Sequence, residues 1–165
     1  MGTSLAIADV TGDESLDLIV GAPNAQVDDV PVGGVLIAAD YTWADGEHTL
    51  DAADGFWSDA AGTQAGEAVA AIDMNGDGVS YIVVSAPYAD TTDSDEGRVY
   101  VVPHLSEGSS LEESASLVID GQYGGELFGS ALAVGNLDDV GTDDLVIGAV
   151  GRNVYGARTG AVSVF

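Results

Sequence analysis

Short apolar segments alternate with polar, glycine-rich segments along the whole chain. The apolar segments are rich in Val, Ile, Leu and Ala, and they are bounded by Gly, Asp, Pro or Asn. This pattern predicts short β-strands joined by tight turns. Near-continuous apolar runs, such as residues 145–147, predict strands that are buried on both faces. No segment combines the helical period with capping residues, so the sequence predicts an all-β chain.

The apolar segments recur in three similar units, and each unit is about 63 residues long. Three landmarks keep their register from unit to unit, so the similarity is a true internal repeat. The first landmark is residues 2–9, 66–73 and 129–136; the second is 17–23, 81–87 and 144–150; the third is 33–37, 96–102 and 159–165. A fourth strand is predicted near residues 48–51 and 115–120, which makes four strands per unit.

Four-stranded sheets repeated in tandem are typical of a β-propeller, which usually closes with about 4–8 blades. We predict about two and three-quarter blades, at about residues 1–64, 65–127 and an incomplete 128–165. The chain (1–165) is then a single propeller segment, an open arc or a fragment of a larger propeller. Because uncovered blade faces would be apolar patches, we expect further blades, another protein or copies of the chain to cover them.

The loop between the first two strands of each unit has the spacing of a calcium-binding loop. In the complete pattern, oxygen-bearing side chains occupy loop positions 1, 3, 5 and 9, and position 7 can offer its backbone carbonyl. Ca²⁺ takes about six to eight such oxygen ligands. In loop one these positions are Asp9, Thr11, Asp13, Ser15 and Asp17.

Loops two and three match this spacing less completely. Loop two offers Asp73, Asn75, Asp77 and the carbonyl of Val79, but position 9 is Tyr81. Loop three offers Asn136, Asp138, Thr142 and Asp144, but position 5 is Val140. We expect one Ca²⁺ per loop, with affinity falling from loop one to loop three. The alternative is that Asp, Asn and Gly are present only because they form good hairpin turns.

These motifs resemble the FG-GAP repeats of integrin α-subunit propellers. The residues that match are Phe128-Gly129, Gly21-Ala22-Pro23, Ser85-Ala86-Pro87 and the calcium loops. The resemblance implies blades of four antiparallel strands, with calcium bound in a hairpin loop on one face. The sequence departs from the family pattern at Met1 and Ala65 for Phe, Ser85 for Gly, Val150 for Pro, Tyr81 at position 9 and Val140 at position 5.

Charge and composition narrow the possible partners. The chain has 28 Asp and Glu against three Arg and no Lys, and its formal net charge is −25. Nucleic acid is therefore excluded as a direct partner, and docking on anionic membranes is disfavoured. No apolar run reaches the roughly 20 residues of a membrane span, so no membrane insertion is expected. The acidic, lysine-free composition would also suit a high-salt environment.

The residues that enzymes commonly use are scarce. Cysteine is absent, and the two histidines, His48 and His104, belong to no recognisable catalytic motif. This scarcity favours a non-enzymatic role, and the resemblance to integrin α-subunit repeats implies a calcium-stabilised, extracellular or cell-surface segment that serves in adhesion or recognition. Two alternatives stay open. In the first, the chain is an accessory propeller part of a secreted polysaccharide-active or lipid-active enzyme. In the second, it is a propeller fragment that closes by homo-oligomerisation.

Overall fold

The computed structural model describes residues 2–39, 54–103 and 110–165. Within these residues the chain is built from short strands, and the only helix is the single turn α1 (Leu111–Ser114). The prediction of an all-β chain is confirmed. No helix of the described part has the length and apolar character needed to cross a membrane.

The first sheet has four antiparallel strands. They are β1 (Leu5–Ala8), β2 (Asp17–Gly21), β5 (Gly34–Ala38) and β6 (Asp54–Trp57), hydrogen-bonded in the order β1-β2-β5-β6. A two-stranded hairpin, β3 (Gln26–Val27) and β4 (Val30–Pro31), forms part of the connection between β2 and β5. The predicted strand near residues 48–51 lies outside the described residues, and β6 follows shortly after it.

The second and third sheets repeat this plan. The second contains β7 (Val69–Ile72), β8 (Tyr81–Ala86), β9 (Arg98–Val102) and β10 (Leu117–Asp120), again as a four-stranded antiparallel meander. The third contains β11 (Phe128–Gly135), β12 (Asp144–Ala149) and β15 (Ala161–Val164), with the hairpin β13 (Asn153–Val154) and β14 (Ala157–Arg158) between β12 and β15. None of the sheets closes into a barrel, and the predicted fold class of partial propeller blades is confirmed.

Two hydrophobic cores lie between successive sheets. The first joins side chains of the first two sheets, including Ile19, Ile37 and Phe56 with Ile82 and Tyr100. The second joins the second and third sheets and includes Val83, Val99, Val101, Phe128 and Ile147. Because successive side chains of a strand point to opposite faces, the second sheet contributes alternate residues to each core and is covered on both sides.

Burial on both faces holds for the second sheet but fails for the third. In β8, five consecutive residues after Tyr81 are buried. In β12, buried residues alternate with half-buried ones, so Leu145 and Ile147 are buried whereas Val146 is only partly covered. The prediction of two buried faces for residues 145–147 was wrong, because the described chain packs a neighbouring sheet on one face only.

Glycines allow the backbones of adjacent sheets to meet at the junction of the first two repeats. A Cβ atom at Gly21 would lie 2.1 Å from the carbonyl oxygen of Gly66, and one at Gly66 would lie 2.0 Å from that of Gly34. The Gly66 N–H donates to the Ser85 carbonyl at 2.7 Å, and the Ala22 N–H donates to the Gly34 carbonyl at 2.9 Å. These positions therefore require glycine for steric reasons, since any side chain would separate the sheets.

A carboxylate joins the first two sheets at a second point. Glu112 of α1 accepts hydrogen bonds from the Ser58 hydroxyl at 2.9 Å, the Asp59 N–H at 2.9 Å and the Tyr100 hydroxyl at 2.8 Å. Burial, together with the neighbouring Glu112 carboxylate, raises the pKa of the Tyr100 phenol. Ser58 and Asp59 directly follow β6, whereas Tyr100 lies in β9, so Glu112 fixes the relative position of the two sheets.

Candidate calcium-binding loops

The three predicted loops occupy equivalent places in the fold. Each joins the first strand of its sheet to the second: β1 to β2, β7 to β8 and β11 to β12. In all three, positions 4 and 6 have positive φ angles. The values are 81° and 69° at Gly12 and Glu14, 76° and 89° at Gly76 and Gly78, and 57° and 75° at Asp139 and Gly141. Loop three thus shares the backbone course of the other two, although its side chains match the pattern least well.

Asp9 organises loop one through its carboxylate. One oxygen accepts the N–H groups of Thr11 at 3.2 Å and Gly12 at 2.6 Å, and the other accepts the N–H of Glu14 at 2.8 Å. Asp13 accepts the N–H of Ser15 at 2.8 Å. These bonds curl the loop around the Asp9 carboxylate, as expected when an acidic side chain substitutes for the main chain in a tight turn.

Asp17 closes loop one and is completely buried, with no exposed surface. It is the first residue of β2, directly opposite Ala8. Its Oδ2 atom accepts the N–H of Val10 at 2.9 Å, whereas its buried Oδ1 atom has no hydrogen-bond partner. A buried carboxylate oxygen without a partner is costly. Its position at the closing residue of an oxygen-rich loop fits the chemistry of a bound cation.

Loop two repeats the hydrogen bonds of loop one. Asp73 accepts the N–H groups of Asn75 at 3.3 Å, Gly76 at 2.7 Å and Gly78 at 2.9 Å. The bond from Gly78, with those from neighbouring N–H groups, lowers the pKa of Asp73. Asp77 accepts the N–H of Val79 at 2.8 Å, as Asp13 does that of Ser15. Position 9, Tyr81, offers no carboxylate.

Loop three is closed in the same manner as loop one. Asp144 accepts the N–H of Leu137 at 2.8 Å, the counterpart of the bond between Val10 and Asp17. Asp138 accepts the N–H of Val140 at 2.9 Å, and Asn136 donates to the Gly141 carbonyl at 3.4 Å. Thr142 lies at position 7 and is exposed. In contrast to Asp17, Asp144 is only half-buried.

The side chains of each loop lie within one turn but do not form a preassembled acidic cluster. Among the described residues, no group of three or more Asp, Glu or His side chains is placed to hold a metal ion. Asp9 is half-buried, and Thr11, Asp13 and Ser15 are exposed. In loop one, the backbone course and the buried Asp17 carboxylate already have the arrangement that the predicted site requires. The exposed side chains of the loop have to move for all the predicted ligands to converge.

Other buried carboxylates escaped the sequence analysis. Glu96 accepts bonds from the Thr91 and Thr92 hydroxyls and from the N–H groups of both residues. These bonds, with that from the Thr91 hydroxyl foremost, lower the pKa of Glu96 to about 2. Glu126 accepts the N–H of Gln122 at 2.5 Å and pairs with Arg152 at 2.6 Å. Gln122 and the donors to Glu96 lie within five residues of the carboxylates they contact, and only Arg152 is distant from its partner in the chain.

Comparison with known proteins gives these loops a family context. The FG-GAP repeat model matches residues 1–37 and 65–102, which include loops one and two with their flanking strands. These two segments are FG-GAP repeats by this match. The predicted recognition is confirmed. The chain is similar to human integrin alpha-IIb, at 34% identity over 95% of the chain, and to Xenopus laevis integrin alpha-5, at 29% over 99%. It is also 37% identical to Xenopus laevis integrin alpha-4 over 53% of the chain.

The chain spans only a small part of these relatives, 16% of the length of integrin alpha-IIb and 15% of integrin alpha-5. The similarity therefore concerns only the part of each relative that matches this chain.

One departure from the FG-GAP pattern has a structural explanation. Ser85 replaces the glycine of the GAP motif, and its hydroxyl accepts the N–H of Ala68 at 2.9 Å. A Cβ atom at Gly129 would lie 2.9 Å from Ser85 Cβ, so Gly129 leaves room for the serine.

Proposed function

We propose that this chain is a non-enzymatic, calcium-stabilised segment of an extracellular β-propeller that serves in adhesion or in recognition of another protein or ligand. Its FG-GAP repeats and its similarity to integrin α subunits support the proposal. An extracellular location suits loops of this kind, because calcium sites in extracellular modules bind at about 10⁻⁴–10⁻³ M. In this proposal the chain is a single propeller segment, with blades at about residues 1–64 and 65–127 and an incomplete blade at about 128–165.

The buried Asp17 carboxylate is the observation that carries the calcium proposal. The residue has no exposed surface, and its buried Oδ1 atom has no hydrogen-bond partner. A hairpin whose aspartates served only as turn formers would not need a fully buried negative charge at the start of a core strand. Burying a charge is unfavourable unless it is both paired and hydrogen-bonded, and within the described residues Asp17 has only one donor, the Val10 N–H on its Oδ2 atom. A cation in loop one meets this need.

Loop one offers a complete set of oxygen ligands for a hard cation. The carboxylates of Asp9, Asp13 and Asp17, the Thr11 hydroxyl and the Ser15 carbonyl would hold the ion, and water would fill the remaining positions. When bound, calcium supplies a double positive charge that offsets the mutual repulsion of these carboxylates. Loop two would use Asp73, Asn75, Asp77 and the Val79 carbonyl; loop three would use Asn136, Asp138, Thr142 and Asp144.

The role of the metal in this proposal is structural. Loop one lies directly beside the first core, because Val10 at position 2 is fully buried in it together with Ile19 of β2. An ion that fixes the loop therefore also fixes the start of β2 and the packing between the first two sheets. Since the ion binds the folded loop and not the unfolded chain, its binding energy adds to folding stability.

Calorimetric titration with calcium tests this proposal. The protein is first stripped with a chelator and kept in moderate salt, so that diffuse attraction to its 28 acidic residues is screened. We expect saturable binding with at least one site tighter than about 10⁻³ M. The Asp13→Asn substitution should weaken that site at least about tenfold, since it removes one of three carboxylates.

The matched control is Asp28→Asn, which removes an exposed carboxylate from the turn between β3 and β4, outside all three loops. This variant should bind calcium like the original protein. A chain that takes up no calcium at millimolar concentration would refute the metal part of the proposal. Equal weakening by both substitutions would show that the binding is diffuse.

A further inference from the structure

We propose that cation binding in loop one strengthens cation binding in loop two, because a backbone hydrogen bond and a side-chain contact join these two loops. The inference rests on the calcium-binding function proposed above and adds an order of filling to it. Loop one fills first and prepares loop two, whereas loop three fills independently of loop two. The evidence comes from the contacts between neighbouring loops.

The hydrogen bond runs from the Ser80 N–H to the Asp9 carbonyl, with a length of 2.8 Å. Ser80 is position 8 of loop two, between the predicted carbonyl ligand at Val79 and the first residue of β8, Tyr81. Asp9 is position 1 of loop one, where its carboxylate accepts three N–H groups of its own loop. One residue thus organises loop one through its side chain and holds loop two through its main chain.

The side-chain contact involves Val79. Its Cγ2 atom lies 3.3 Å from the position that a Cβ atom of Gly12 would occupy, so its side chain packs against the turn of loop one. The Gly12 N–H donates to the Asp9 carboxylate at 2.6 Å, within the network that surrounds the predicted ion. Any shift of the Gly12 turn on cation binding therefore reaches Val79, whose carbonyl is a predicted ligand of loop two.

The cation affinity of loop two depends on its neighbour more than that of loop one does. Loop one is anchored by Val10 and Asp17, which have no exposed surface. Loop two has Tyr81 in place of the closing carboxylate, so its ligands are fewer and its affinity depends more on a backbone that is already in place. A first ligand that orders part of a second site lowers the entropic cost of the second binding step.

Loops two and three provide an internal comparison. They approach each other where a Cβ atom at Gly76 would lie 3.7 Å from the Thr142 Cγ2 atom. Among the described residues, no hydrogen bond joins residues 73–81 to residues 136–144. The side-chain contact thus has a counterpart between loops two and three, whereas in the described part of the chain the hydrogen bond has none. Because the coupling requires the hydrogen bond, it should be present between loops one and two and absent between loops two and three.

The test follows loop two while loop one is disabled. Calcium is titrated into ¹⁵N-labelled protein, and the amide signals of Gly76 and Gly78 report loop two while that of Gly12 reports loop one. In Asp13→Asn, whose amide can still accept the Ser15 N–H, we expect the loop two affinity to fall about fivefold, the lower end of typical coupling between sites. The matched variant in loop three, Asp138→Asn, should leave the loop two affinity unchanged.

A second variant tests the hydrogen bond itself. Ser80→Pro removes the N–H that reaches Asp9, and Asp143→Pro makes the same change at position 8 of loop three. In Ser80→Pro, adding Asp13→Asn should no longer alter the loop two affinity, whereas in Asp143→Pro the fivefold effect should persist. If Ser80→Pro does not fold, the comparison of Asp13→Asn with Asp138→Asn decides alone.

The outcomes separate this inference from the function on which it rests. Loss of calcium binding from every loop would refute the proposed function. Calcium binding in loop one together with a loop two affinity that ignores Asp13→Asn would overturn only the coupling. A loop two that takes up no calcium in the original protein would overturn the coupling as well, because there would be no second site to influence.

Discussion

Replacing Gly66 with alanine is expected to destabilise the protein by about 3–5 kcal/mol, a large share of a domain's usual free energy of unfolding. Two independent penalties add at this position. The backbone φ of Gly66 is +88°, a conformation that costs an ordinary residue about 1–2 kcal/mol. The new Cβ would also lie 2.0 Å from the Gly34 carbonyl oxygen, so the backbones of two sheets must separate.

The matched control is Gly62→Ala. Gly62 also has a positive φ, +78°, but a Cβ atom there meets nothing within 4 Å. The control should therefore lose only about 1–2 kcal/mol, the conformational part of the penalty. Urea unfolding of the two variants measures the difference, which we expect to be at least about 2 kcal/mol. Equal losses would show that the close approach of the sheets at Gly66 contributes nothing.

Replacing Asp17 with asparagine is expected to have opposite effects in chelator and in calcium. In chelator the substitution removes a buried charge whose Oδ1 atom has no partner, and it should stabilise the protein by about 1 kcal/mol. In about 10 mM calcium the original protein should gain about 2.7 kcal/mol at a hundredfold excess over the dissociation constant. The variant should lose most of that gain, so the order of stability reverses.

Thermal unfolding in the two conditions measures this reversal, and a gain of this size corresponds to a shift of roughly 5–10 °C for a chain of this length. The control is Asp144→Asn, because Asp144 closes loop three with the same type of hydrogen bond but is only half-buried. It should not stabilise the protein in chelator. An Asp17→Asn variant that is less stable by the same amount in both conditions would show that Asp17 merely caps the Val10 N–H.

Most of the fold could be predicted from the sequence repeat, because each unit has the same pattern of turn residues and strand residues. Glycine and aspartate stand at the turns, and β-branched residues fill the strands between them. The loops fall between the first two strands of every sheet, as the spacing of Asp9, Asp73 and Asn136 predicts. The fourth strand near residues 115–120 is also present, as β10.

Packing between sheets was harder to predict. An apolar run looks the same in a strand that is covered on both faces and in one that is covered on one face. Residues 82–86 of β8 are buried throughout, whereas residues 145–149 of β12 alternate between buried and half-buried. The difference comes from the neighbouring sheets, which local sequence does not encode.

The candidate site was predictable in its main chain and only partly in its side chains. The Asp, Asn and Gly residues of the loops indicate tight turns. The positive φ angles at positions 4 and 6 occur in all three loops, including at Glu14 and Asp139, which are not glycines. The complete burial of Asp17 could not be read from its position in the loop, since it depends on the core around Val10 and Ile19. The contact between Ser80 and Asp9 likewise joins residues that are far apart in the chain.

The most direct test of the account is a crystal structure of the protein grown in calcium, with anomalous scattering measured at loop one. We predict an anomalous peak at about 2.3–2.6 Å from oxygen atoms of Asp9, Asp13 and Asp17, with the Asp17 Oδ1 atom among its ligands. A site that contains only water in saturating calcium, with Asp17 still buried, would contradict the claim that this carboxylate is there to hold a cation.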